Sequence, residues 1–190
     1  MTNDNYVNSA KKQFLYYKML GEKAIERLST EQLFMNCGDN NNSIAVIVRH
    51  LSGNMLSRWT DFLTTDGEKL TRNRDNEFEN DVVNRDDLLI IWHKGWNCFF
   101  ATLDLILTEH LNEIVYIRNE GHTVIEAINR QLAHYPYHIG QIIFIAKMLN
   151  TSEWVSLSIP KNKSQSYNNE KFNKDKKPRN FFDDDFKIIS

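Results

Sequence analysis

An all-α fold is what this sequence predicts, and three observations predict it. Four long stretches repeat apolar residues at helical spacing. Seven glycines and three prolines are too few for a chain built on many tight β-turns. No internal repeat or heptad array competes with that reading.

The first helix is predicted over about Asn5 to Leu28, with Val7, Ala10, Phe14, Tyr17, Gly21, Ile25 and Leu28 in phase. Ser-Thr-Glu-Gln and the polar run from Cys37 to Asn42 end it as a loop. Ser43, or Asn42 before it, then caps a second helix reaching about Leu63. Its apolar stripe is Ile44, Ile47, Val48, Leu51, Met55, Trp59 and Phe62. A polar connection from Thr64 to Arg85 follows, longer than the roughly 2–8 residues usual between packed helices. Such a segment has the length to lie across an end of the fold and cover something. The third helix, about Asp86 to Thr108, carries Leu89, Trp92, Trp96, Phe99, Phe100, Leu103 and Leu107. Ile114-Val115-Tyr116-Ile117 reads as extended, and His122-Thr123 opens a fourth helix to about Leu149. Pro136 inside it removes one backbone hydrogen bond, so the helix either bends there or breaks at Tyr135. The unbroken apolar phase from Gln131 to Leu149 favours a continuous, kinked helix. Trp154, Leu157 and Ile159 read as an irregular cap. From Lys161 onward lysine, asparagine and aspartate dominate, with Phe181, Phe182 and Phe186 as sites for local latching.

Length and composition suit one globular domain with a real core: 190 residues, 41% hydrophobic and 25% charged. A formal net charge of −2 gives no reason to expect nucleic acid or an anionic membrane as partner. No apolar run approaches the ~20 residues of a spanning helix. The N-terminus lacks a secretory profile, and Cys37 and Cys98 form no CxxC, so a reducing cytoplasm is the expected location.

The chemistry is concentrated in histidines. His134 and His138 are four residues apart, which on a helix puts both imidazoles on one face, a turn apart. Ile145 and Leu149 share that sector, so the pair points inward. His50 lies on the shoulder of the second helix's stripe, about 60° round from Ile47, where an inward orientation is permitted but not compelled. Three imidazoles around one divalent ion are the ligand set of a catalytic zinc or nickel site with a position left open. The competing reading is three core imidazoles hydrogen-bonded to backbone or to Gln131, Gln141 and Asn54. Asn54, Arg58 and Asp61 continue the ridge from His50 at i+4, i+8 and i+11. They serve either behind the ligands or toward an anionic substrate, unless Arg58 and Asp61 simply form an i,i+3 ion pair, the reading that helix spacing favours. His93 reads as a shoulder residue, His110 and His122 as helix-end groups. Trp59, Trp92, Trp96 and Phe100 read as core, and Cys98 as neither ligand nor nucleophile. No carboxylate stands where a general base is obvious.

The run from Ser43 to Glu68 resembles the DinB/YfiT-like superfamily, as does Glu126 to Gln141, and Trp154 to Lys161 is similar to a bacterial branch of unassigned function. The resemblance covers about residues 5 to 163. It implies an up-down four-helix bundle over 1–160, and the composition beyond that bundle predicts a flexible polar tail over 161–190. It implies a metal held by His50 from the second helix and His134 and His138 from the fourth. Some superfamily members are bacillithiol- or mycothiol-dependent S-transferases, others resemble metal-dependent hydrolases or an isomerase, and many form homodimers. The implied function is therefore thiol transfer to a small electrophile, with metal-dependent hydrolysis as the alternative. Nickel or zinc is the implied cofactor. A bound divalent ion with three neutral donors lowers the pKa of a bound water or thiol. A non-catalytic stress-response bundle acting through protein contacts is the reading from outside enzymology.

Overall fold

Local end signals set the helices. The computed structural model describes residues 4–38, 41–79, 84–150 and 154–179, and divides into two units, Met1–Leu149 and Asn150–Ser190. The first unit contains α1 (Asp4–Glu26), α2 (Thr30–Phe34), α3 (Ile44–Trp59), α4 (Arg85–Leu105), β1 (Ile114–Ile117), β2 (Glu120–Thr123) and α5 (Val124–Leu149). Ser43 Oγ accepts the Val46 amide at 3.2 Å at the start of α3, and Asn84 Oδ1 accepts the Asp87 amide at 2.8 Å at the start of α4. At α5, Thr123 and Glu126 exchange backbone-to-side-chain bonds, a reciprocal cap. Each of these satisfies an amide that a helix start leaves without an intrahelical partner.

The long helices bury their stripes against one another. α3 packs along α4 and α1 along α5, with smaller contacts from α3 to α5 and from α1 to α4. Phe14, Trp59, Trp96, Phe99 and Tyr135 are all at most 1% exposed and meet edge to face or tilted, with centroids between 4.5 and 6.0 Å. Burial of such rings dominates the stabilisation of a core this size. Trp92 is buried as expected, and Phe100 stacks on Trp96 at 5.6 Å. At Gly95 a Cβ would stand 2.8 Å from the Ser52 backbone, so α3 and α4 approach there only because the side chain is missing. Ser52 Oγ ties the same crossing by donating to Ile91 O at 2.8 Å.

Several sequence boundaries are corrected. α3 ends at Trp59 rather than Leu63, because Thr60 turns extended and Asp61 takes a positive φ of 49°. The amides of Thr64 and Thr65 then bond Asp61 O at 3.0 Å. The segment after Leu28 is not all loop: a Ser29–Gln32 capping box starts α2. In α4 it is Leu88 that is fully buried, while Leu89 is half-buried; Leu107 lies past the helix end and is 53% exposed. The extended segment is one half of an antiparallel hairpin, β1–β2, turned by Arg118 and Asn119 with φ of 57° and 62°. α5 runs through Pro136 without a break.

The second unit carries α6 (Ser164–Phe172), a helix with no buried residue. Phe181, Phe182 and Phe186 lie outside the described residues. Among the described residues no helix is long and apolar enough to cross a membrane.

Candidate metal centre

Helical spacing delivers the histidines to one place. His50 on α3 and His134 and His138 on α5 offer nitrogen atoms that all lie within 4.8 Å of one another. His134 Nε2 and His138 Nε2 are 3.1 Å apart. The buried stripe of α5 is Ile128, Gln131, Tyr135, Ile139 and Ile142. The two histidines sit beside it, half-buried, and open onto a cavity of about 710 Å³. His50 is 8% exposed.

Every imidazole has its Nδ1 occupied. His50 Nδ1 donates to Glu77 Oε2 at 2.9 Å, His134 Nδ1 to Gln131 Oε1 at 3.1 Å, and His138 Nδ1 to Gln141 Oε1 at 2.7 Å. The Gln141 amide is oriented by its other end, where Nε2 donates to Tyr137 Oη at 3.2 Å. With protons fixed on Nδ1, the Nε2 atoms of His134 and His138 are both lone-pair acceptors. Two acceptors 3.1 Å apart repel unless a cation lies between them. Ligands about 2.0–2.1 Å from a tetrahedral zinc stand roughly 3.4 Å from each other, close to that spacing. The group could therefore hold a metal ion, and its donor set is chemically suited to one.

Burial favours the neutral form of the two α5 imidazoles. Desolvation first, then the charges of His138, His50, Arg58 and Arg130, push the His134 pKa from 6.5 down to about 3. Desolvation likewise lowers His138, against the opposing effect of its bond to Gln141. A neutral ring is the ligating form.

Glu77 is the functional residue that sequence reading missed. It comes from the Thr64–Arg85 connection, in a short 3-10 turn, Asp75–Phe78, that packs on α3. Burial would raise its carboxyl pKa, but hydrogen bonds from His50 and Arg72 outweigh burial and hold it below the ordinary value. Arg72 donates to both carboxylate oxygens, Nε to Oε1 at 2.7 Å and Nη2 to Oε2 at 3.0 Å. Gly53 makes room for the carboxylate: a Cβ there would lie 2.2 Å from Glu77 Oε1. Nothing local distinguishes Glu77 from the other acidic residues of that connection. Phe78 packs tilted against His50, centroids 5.7 Å apart. The long connection thus covers the His50 side of the cluster.

The remaining candidates divide. Gln131 and Gln141 orient the rings, as described. Asn54 is 5% exposed and accepts from Tyr135 Oη at 3.1 Å, while also lining the cavity. Arg58 lines the cavity too, 4% exposed, with Nε and Nη1 lacking any hydrogen-bond partner. Asp61 does not join them. The end of α3 at Trp59 puts it on an exposed turn, and no Arg58–Asp61 ion pair forms. His93 is an exposed residue 3.8 Å from Glu22 Oε1, and His110 Nδ1 accepts the Leu107 amide at 3.1 Å. Arg72, Arg74, Arg118 and Arg130 also line the cavity and were not anticipated. Arg130 was accessible to helical spacing, one turn before His134.

These features define a mostly helical protein with a three-imidazole cluster, backed by hydrogen-bond acceptors, that could hold a metal ion. Residues 1–163 match the family described as "protein of unknown function (DUF1572)", and the chain belongs to that family. No curated protein and no solved structure matches the chain.

Proposed function

We propose that this chain is a metal-dependent enzyme of the DinB/YfiT type. Its four long helices form an up-down bundle, and His50, His134 and His138 hold one nickel or zinc ion. The observation that carries the reading is the facing pair of Nε2 lone pairs 3.1 Å apart, with each Nδ1 already bonded to an oxygen. A divalent ion there would supply Lewis acidity and lower the pKa of a bound thiol or water. Glu77, Gln131 and Gln141 fix ring tautomer and orientation by accepting from Nδ1.

The reaction is transfer of a low-molecular-weight thiol of the bacillithiol type to a small electrophile. Two features support thiol transfer over hydrolysis. No aspartate or glutamate lines the cavity among the described residues, so a hydrolase would lack a carboxylate base there. The arginine-rich wall instead favours an anionic nucleophile such as a thiolate.

Elemental analysis of protein purified without a histidine tag tests the centre. About one metal per chain is expected, with loss of metal but retention of helical circular dichroism in the His50→Ala, His134→Ala and His138→Ala variants. Full metal occupancy with all three changed overturns the ligand assignment. Conjugation of a chlorinated aromatic with bacillithiol and related thiols tests the reaction. Metal without turnover across a broad panel favours the non-catalytic, protein-contact reading.

A further inference from the structure

The same cavity carries more positive charge than a metal site needs. Arg58, Arg72, Arg74, Arg118 and Arg130 line it, and no described carboxylate does. Two of the five are neutralised from behind. Arg72 binds Glu77 and Glu68, and Arg118 Nη2 lies 3.2 Å from Glu68 Oε2. Arg58 is different. Its guanidinium is buried, with Nε and Nη1 unpartnered and no ion pair among the described residues.

Leaving a buried charge without a partner costs stability, and arginine does not escape by losing its proton. Burial lowers the Arg58 pKa, and the charges of Arg130 and Arg72 push the same way against opposing effects from Tyr135 and Glu68. Arg130 is itself exposed and forms no ion pair among the described residues. Arg58 and Arg130 line the same cavity as the three imidazoles. A pair of repelling cations held beside a metal-binding cluster is an arrangement that a ligand completes. Guanidinium presents planar paired donors that match carboxylate and phosphate oxygens.

We infer that the substrate carries a multiply charged oxyanion, a phosphoryl or polycarboxylate group, bound by Arg58 and Arg130 in the cavity beside the three histidines. This rests on the enzymatic reading above and narrows its substrate class. Arg58 follows His50 by eight residues on α3, about 12 Å along the helix axis at ~1.5 Å per residue. Its long side chain reaches part of that way back. The charged end of the substrate is therefore several bonds from the atom that reacts. Asn54, one turn nearer His50 on the same face, lines the space between.

Calorimetric titration of the as-purified full chain with inorganic pyrophosphate and, separately, tricarballylate tests the inference, with metal content measured on the same samples. At least one anion is expected to bind, at least tenfold more weakly in Arg58→Gln and with partial recovery in Arg58→Lys. Pyrophosphate alone binding assigns a phosphoryl group, and tricarballylate alone assigns carboxylates. The Arg58→Gln melting midpoint should be unchanged or raised, since a buried unpaired charge is removed; a structural arginine would lower it. Should Arg58→Gln fail to fold, Arg130→Gln at an exposed position carries the test, again with at least a tenfold loss. Binding of neither anion to wild type, or equal binding by wild type and the arginine variants, overturns the inference even where metal is stoichiometric. Arginine-dependent binding to a chain that holds no metal upholds the anion site and overturns the metal centre instead.

Discussion

Tyr135 and His134 are neighbours on α5, and their surroundings obey opposite rules. Tyr135 is fully buried among Phe14, Trp96 and Phe99, and its hydroxyl is doubly satisfied. It accepts from Trp59 Nε1 at 2.9 Å and donates to Asn54 Oδ1 at 3.1 Å. On the cavity side, two imidazole nitrogens face each other at 3.1 Å while each ring's Nδ1 is bonded to a glutamine oxygen, and a buried arginine has two nitrogens without partners. Closed hydrogen bonding in one region and open hydrogen bonding in the other, one residue apart, separate the packed core from the cavity. Asn54 joins them, with its oxygen committed to the core and its side chain lining the cavity.

Breaking the core side should give the largest effect. Trp59→Ala removes a ring that is 1% exposed and leaves Tyr135 without its donor. The expected loss is about 3–5 kcal/mol in chemical denaturation. Metal stoichiometry of the protein still folded should be unchanged, because Trp59 does not line the cavity.

Glu77→Gln reverses that pattern. The His50 acceptor loses its charge, and metal affinity is expected to fall about 10–100-fold in competition with a chromophoric chelator. Gly53→Ala should act in the same direction, since its Cβ would collide with the Glu77 carboxylate that His50 and Arg72 hold in place. An unchanged affinity in both would remove Glu77 from the site.

Acid probes the cavity side of the comparison. The folded state keeps His134 neutral down to about pH 3, whereas the unfolded chain protonates it near 6.5. Between those values the unfolded state binds more protons, so stability of the metal-free protein falls as pH drops through that window. The lowered Glu77 pKa acts with the same sign, its contribution being lost as acid protonates the carboxyl. Urea midpoints at about pH 7 and about pH 4 should differ less in His134→Ala than in wild type. Equal differences in the two proteins would mean that His134 titrates normally in the folded chain.

Local rules made much of this molecule legible. The stripes of α1 and α3, the Ser43 cap and the i,i+4 histidine pair are all consequences of 3.6-residue periodicity and orphaned helix-end amides, which act within a few positions of the chain. Gln131 and Gln141 stand three residues from their histidines and belong to the same category. Where periodicity was extended past its support, it failed. The ridge through Asp61 assumed a helix that Thr60 ends. The carboxylate that backs His50, and the arginines that come from outside its helix and that of His134, are brought in from distant chain. Glu77 reaches His50 across 27 residues, and its seat exists because Gly53 has no side chain. Arg58 Nε and Nη1 have no hydrogen-bond partner, while the turn after α3 carries Asp61 away and the Glu77 carboxylate is bound to His50 and Arg72. The sequence by itself determined which residues share a helical face. Which charges are buried, and which are left without a counter-charge, depends on how long connections close over that face, and only the tertiary structure decided it.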